Sequence, residues 1–401
     1  MGLNSETSTM VQPYEGPRYG AFARRAHGWS WQAFPIGMGT GAVYVLLSAV
    51  KPHPAWLTKV EIAFYILNML LFVVNLTMLA AQFILYRRQS LRLITDPVKG
   101  VFVPLVVLSF ATIIIGTINY AVPAGIVSPT AIYVLFWVYL SLSILVCFPM
   151  LVIWYNRPHN IETFTPAWAF LIFPLMLTGV ISFNVLSVMP ASDPRSIAVL
   201  LVGYIFQGIG FFMTFFYLAV YVLRIMTTGF MDGHQANGAF VACGPPGFTA
   251  LALINLGKRA RLILPEYGLV SPQAGEIFYA TSVMSALLLF GLATFFFVLG
   301  VLPYWFKLHK HLHEILGCWA LTFPNVGWIN TVNALGDIFG IRGFEKWHLI
   351  MTILVVTTWV VLFAFTAVAF WRGKIFMSKD EDIYSDGVCN ALEKEKSGDI
   401  V

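Results

Sequence analysis

The sequence predicts an all-α membrane protein: ten transmembrane helices paired as five helical hairpins, with the odd-numbered helices forming an inner pseudo-fivefold ring around a central pathway. Three observations predict it. The first is composition: 58% of the 401 residues are hydrophobic and only 11% are charged, where soluble domains carry about 25% charged residues. The second is block length. Apolar residues come in runs of about 20 or more, enough helix to cross a hydrocarbon layer about 30 Å thick. The third is a proline that returns at intervals of 69, 70, 71 and 79 residues, at Pro35, Pro104, Pro174, Pro245 and Pro324. Such a period is the length of one two-helix unit.

Taken in order, residues 1–29 form a polar N-terminal segment. The stretch Met1 to Gly28 has no apolar core of its own, so a cleaved signal peptide is not expected. The spans are then read at 30–50, 60–86, 99–121, 129–155, 164–189, 196–226, 239–257, 275–301, 314–338 and 346–371. The loops between them are short, so 30–371 is one transporter-type domain with no separate soluble unit. Residues 372–401 form a charged tail whose acidic and Ser/Lys-rich stretch, Asp380 to Asp399, has the composition of a disordered segment.

Orientation follows from the cations. Sixteen of the 24 Lys and Arg fall on the side that holds both termini, including Arg24, Arg25, Arg87, Arg88, Arg92 and Lys99. Eight fall on the other side, among them Lys51, Lys258, Arg259 and Arg261. The positive-inside bias places both termini in the cytoplasm. The net charge of +5 is spread singly between apolar blocks and forms no basic stripe, so no nucleic-acid partner is expected. Cys147, Cys243, Cys318 and Cys389 show no paired spacing that would predict a disulfide framework or a zinc site.

The repeated prolines each lie well inside an odd-numbered run. Proline in a helix interior removes a backbone hydrogen bond and bends the axis. At membrane depth the freed groups must be packed in protein or face water. Five bends in equivalent positions therefore predict five kinked helices around a hydrated axis, with straighter even spans outside. Plain packing kinks are the competing account, because proline is common in membrane helices.

No charged residue is expected deep in a span: Glu61, Glu276, Glu314 and Glu345 fall at span starts, Arg224 and Lys258 at span ends. A pathway through this protein is then lined by neutral groups, with Thr40, Asn184, Asn255 and Asn325 as candidates. Interhelical hydrogen bonding is the alternative role for each. Gly37 to Gly41 reads as a close-packing face rather than a nucleotide loop, since the GxGxxG spacing is missing. His309, His311, His313 and Glu314 cluster in one loop, where a solvated turn is the default over a metal site or pH sensor. Asn75-Leu76-Thr77 matches a glycosylation site but falls inside the second span. With no nucleophile-base pair, HExxH or P-loop, neither an enzyme nor a bound cofactor is expected.

Several stretches carry a resemblance. They are Ile161-Glu162-Thr163 leading into Thr165-Pro166-Ala167-Trp168 and Phe173-Pro174, then Phe206-Gln207-Gly208-Ile209-Gly210-Phe211. Gly244-Pro245-Pro246-Gly247-Phe248 with Ala252-Leu253-Ile254-Asn255 follows, and lastly Phe323-Pro324-Asn325-Val326-Gly327. They resemble the fungal malic acid and C4-dicarboxylate transporters of the tellurite-resistance/dicarboxylate transporter family, which also holds plant slow anion channels and fungal sulfite efflux pumps. The resemblance implies five helical hairpins with the odd helices around a pore, a homotrimer in the plasma membrane, and an aromatic gate for which Phe323 fits by position. It implies transport of small organic anions such as malate or succinate; an anion channel or sulfite efflux pump of the same fold stays open. A membrane receptor without flux is the remaining class, disfavoured by loops too short to hold a large ligand.

Overall fold

The computed structural model describes residues 16–231, 233–307 and 315–387, with 233–235 and 304–307 described in backbone only. Among them every regular element is helical. In chain order the α-helices are α1 (Ala21–Gly28), α2 (Phe34–Leu47), α3 (Ala55–Leu85), α4 (Arg87–Ile94), α5 (Leu105–Gly116), α6 (Pro129–Tyr155) and α7 (Phe173–Val185). They continue as α8 (Arg195–Thr228), α9 (Gly244–Glu266), α10 (Ala274–Lys307), α11 (Ile315–Cys318), α12 (Phe323–Phe339) and α13 (Arg342–Trp371).

Among the described residues, seven helical segments are long and apolar enough to cross a membrane: α3, Gly100–Ala121 around α5, α6, α8, Ala236–Glu266 around α9, α10 and α13. The other three predicted spans hold the shorter helices α2, α7 and α12, of 14, 13 and 17 residues. The seventh predicted span is the most displaced, since α9 runs on to Glu266 instead of ending at residue 257.

The repeated prolines correct the sequence expectation in an instructive way. Pro35, Pro174, Pro245 and Pro324 sit in the first turn of α2, α7, α9 and α12, and Pro104 is the N-cap of α5. None of the five bends an α-helix from within. Each starts one, directly or closely after a 3-10 stretch at 31–33, 100–102, 166–171, 233–243 or 319–321. A first-turn N–H has no intrahelical partner to lose and the ring presets φ for the helix, whereas an interior proline costs about 3 kcal/mol. Each of these five segments is therefore two helical pieces joined at a proline.

Burial separates the helices into two sets. The apolar windows around α5 and α9 are 78% and 89% buried, against 17% to 33% for α3, α6, α8, α10 and α13. The second set exposes large side chains such as Leu70, Ile84, Leu145, Phe212 and Leu288, the pattern of a surface solvated by lipid. Sequence neighbours pair as α2 with α3, α5 with α6, α7 with α8, α9 with α10 and α12 with α13. Helix α2 also touches α5, α5 touches α7, α7 touches α9, α9 touches α12 and α12 touches α2.

Small residues set the closest approaches. A Cβ on Gly247 of α9 would lie 2.6 Å from the Trp328 backbone nitrogen of α12, and one on Gly327 would lie 2.4 Å from the Phe248 nitrogen. In the Gly37 to Gly41 run, a Cβ on Gly39 would meet the Trp319 ring at 2.6 Å and one on Gly41 would meet Thr112 at 2.6 Å, so that run serves packing. Amides clamp the outer helices to the inner set: Asn68 Nδ2 donates to Thr112 Oγ1 at 2.8 Å, and Gln207 Nε2 donates to Thr249 Oγ1 at 2.8 Å. Asn75 is buried and donates to the Ala33 carbonyl, so the amide of the glycosylation pattern is engaged inside the protein.

Residues 16–28 and 372–387 meet at one end of the bundle. Ser378 N donates to Arg24 O at 3.1 Å and Arg24 Nε donates back to Ser378 O at 3.2 Å. Trp29 stacks on Phe376 at 4.6 Å. The Asp386 carboxylate, 4% exposed, sits 2.8 Å from His27 Nε2 and accepts from Arg92 Nη2 at 2.6 Å. Residues 372–387 are therefore docked rather than disordered, because the aromatic stack and this buried ion cluster repay the entropy of ordering them. Glu6, His309, His311, His313, Glu314, Cys389 and the rest of the tail lie outside the described residues.

Candidate functional site

At the end where the termini meet, a cavity of about 550 Å3 opens among the 3-10 turns and the helix starts. Pro35, Phe102, Leu105, Phe173, Trp319 and Phe323 form much of its wall. Its polar side chains are few, Gln32, Thr163 and Thr165 among them. Phe323 begins α12, is 5% exposed, and lies against the Phe248 ring with centroids 5.1 Å apart and planes 28° apart. The aromatic pair thus joins the starts of α9 and α12, with Phe323 on the cavity wall and Phe248 behind it.

The proline junctions give this wall an electrostatic character. None of α2, α5, α7, α9 and α12 has a side chain capping its first turn. The positive ends of five helix dipoles are left to the 3-10 turns and the cavity, each favouring a nearby anion by about 0.3–1 kcal/mol. Uncharged segments can in this way attract negative charge without an intramembrane cation.

A second cavity of about 540 Å3 adjoins the first, sharing Gln32, Leu316 and Ile375. Its wall is basic: Lys99, Lys374 and Lys379 line it beside His27 and Arg92, the two that hold Asp386, with Asp382 as the acid among them. The docked segment 372–387 supplies two of those lysines. A basic recess opening into a low-dielectric cavity raises the local concentration of anions.

The sequence-predicted residues divide. Asn184 and Asn255 are half-buried, each ten residues after its proline. Each bonds back into its own helix, Asn184 Nδ2 to Val180 O at 2.8 Å and Asn255 Nδ2 to Leu251 O at 2.9 Å, which leaves the amide oxygens outward. Thr40 and Asn325 are instead held in the packing. Thr40 is 0% exposed, donates to Ile36 O and accepts from Trp359 Nε1 at 3.1 Å, so it ties α2 to α13. Asn325 is 3% exposed and accepts from Trp328 Nε1 at 2.9 Å while donating to Leu321 O. Thr40 spends its hydroxyl on its own helix and on α13, and Asn325 spends its amide on Trp328 of its own helix and on the turn before it. Sequence reasoning missed Phe248, whose place opposite Phe323 depends on two segments distant in the chain.

Comparison with known proteins agrees with this architecture. A malic acid transport protein of Schizosaccharomyces pombe is 29% identical over 361 residues, covering 89% of this chain and 81% of its own. A putative malic acid transport protein of the same yeast is 26% identical, covering 92% and 86%. A sulfite efflux pump of Arthroderma otae is 26% identical over 340 residues, covering 83% and 88%. The family profile of the SLAC1 voltage-dependent anion channel matches residues 28–367. An all-helical chain with this many apolar segments, matched over most of its length, is a multi-pass membrane protein that belongs to the voltage-dependent anion channel family.

Proposed function

We propose that the chain carries small organic anions of the C4-dicarboxylate class, such as malate, along the axis enclosed by α2, α5, α7, α9 and α12. The reading takes ten spans as five hairpins, with those five helices as an inner ring. Their mutual contacts and the greater burial around α5 and α9 support it. The observation that carries it is the apolar cavity walled by Phe323, which Phe248 backs, beside a basic recess. Anions gather in the recess, shed water into the cavity under the pull of the helix starts, and pass when the Phe323 ring swings off Phe248. Asn184 and Asn255 offer amides further along. The names borne by the two yeast relatives favour malate among anions. Both termini are assigned to the cytoplasm, the protein to the plasma membrane, and the assembly to a homotrimer in lipid, on cation distribution and family likeness.

Export needs no coupling ion. A divalent anion leaving a negative interior gains about 4.6 kcal/mol per 100 mV, so a gated passive pathway suffices. A second reading, inorganic anion or sulfite export, is favoured by the sulfite efflux pump that matches over a similar length. Purified protein in proteoliposomes separates the two: labelled malate should move faster than in empty vesicles and be slowed by succinate more than by sulfite or chloride. Malate rates equal to empty vesicles would end the first reading, and flux of sulfite or chloride alone would install the second.

A further inference from the structure

We infer that Lys258 and Arg259 form a second anion-holding station at the end of the axis opposite the basic recess. The inference rests on the transport reading above and names a binding site within it. Both residues lie inside α9, eight and seven residues before its end at Glu266, or roughly 10–12 Å from that end at 1.5 Å per residue. Both are half-buried on an inner helix, and among the described residues neither makes a hydrogen bond or an ion pair. A half-buried cation with no carboxylate paired to it is costly, and such residues mark functional positions in membrane proteins. The acid near enough for Lys258 to feel, Asp337, is already committed to Lys51, which leaves direct pairing to a ligand.

Helical spacing fixes where they face. Phe248 lies against Phe323, behind the cavity wall. Asn255 and Arg259 follow it by seven and eleven residues, two and three turns further along the same face. Gly247, which packs on Trp328 of α12, is eleven residues before Lys258, so Lys258 leans toward α12. There it senses the charge of Asp337, the carboxylate that Lys51 Nζ holds at 2.6 Å. Arg261, two residues on, is exposed and already paired with Glu276 at 2.6 Å; it belongs to the surface and not to this site. The half-buried amide of Asn184 occupies the equivalent place on α7. The station thus offers two unpaired cations and two amides to an anion bearing two carboxylates, with Asp337 as the resident negative charge that limits its affinity.

The test is the concentration dependence of labelled malate and lactate flux in proteoliposomes, one dianion and one monoanion. Lys258→Gln and Arg259→Gln are each expected to raise the malate KM about tenfold, and that of lactate about threefold, since hydrogen bonds to charged groups are the strong ones. Lys258→Arg keeps the charge and is expected to hold KM within about twofold of the parent, a rescue that a packing role would not show. Asp337→Asn shifts KM the opposite way, downward for both anions. Variants that elute as the parent does but keep its malate KM, or that lose malate and lactate equally, overturn the station while leaving the transport reading intact. Absence of flux in the parent chain overturns the transport reading and the station with it.

Discussion

Truncating Phe323 probes the proposed gate most sharply. The side chain is 5% exposed and its ring lies on that of Phe248, with centroids 5.1 Å apart. Swinging it out exposes a buried aromatic side chain, about 2 kcal/mol, and gives up the ring pair, about 1 kcal/mol. The closed state is then favoured by about 3 kcal/mol, or roughly 100-fold at 1.4 kcal/mol per factor of ten. Phe323→Ala removes both contributions, so anion flux through reconstituted protein should rise about 100-fold. Phe248→Ala removes only the pair and should raise it about fivefold. The assay is initial anion efflux from loaded vesicles, normalised to the amount of protein that elutes monodisperse. Equal flux in parent and Phe323→Ala, with the protein intact, would refute the reasoning, as would a larger effect from Phe248 than from Phe323.

Three other substitutions separate packing from passage. Thr40→Val strands the Trp359 indole N–H, so stability should drop by about 1–3 kcal/mol in a thermal melt while flux per folded protein stays unchanged; a raised KM instead would restore Thr40 to the lining. Gly247→Ala puts a Cβ 2.6 Å from the Trp328 nitrogen, and overpacking against backbone should cost about 1–3 kcal/mol or more and reduce monodisperse yield; a melt within a degree of the parent contradicts the close approach of α9 and α12. Asp386→Asn weakens the contacts to Arg92 and His27, so protease should cut within 373–387 several times faster; an unchanged rate means that other contacts hold the segment.

Much of the fold was legible because lipid imposes a coarse rule: a helix that crosses it must be long and apolar. Runs such as 60–86 and 129–155 announce themselves by length, and the corresponding helices α3 and α6 match them closely. The proline period disclosed the repeat but not its geometry. Sequence spacing cannot tell a proline that bends a helix from one that starts a helix after a 3-10 turn, since both interrupt the same apolar run. The seventh span was cut short because Lys258-Arg259-Ala260-Arg261 reads as a loop. The apolar set Leu256, Ala260, Ile263 and Leu264, all buried on α9, carries the helical period straight through those cations and was the signal that could have found them. For the site, Asn184 and Asn255 share a place in the repeat that spacing reveals. Thr40 and Asn325 looked equivalent to them, because composition does not say which face a polar residue takes.

The central claim is that anions travel along the shared axis of α2, α5, α7, α9 and α12, and thiol modification tests it most directly. With Cys318 and Cys389 replaced by serine, and with Cys147 and Cys243 buried, Asn255→Cys and Asn184→Cys are treated with a small anionic thiol reagent during malate efflux. The account predicts that modification at either position blocks flux and that malate slows the reaction. Full labelling with unchanged efflux would place the pathway elsewhere.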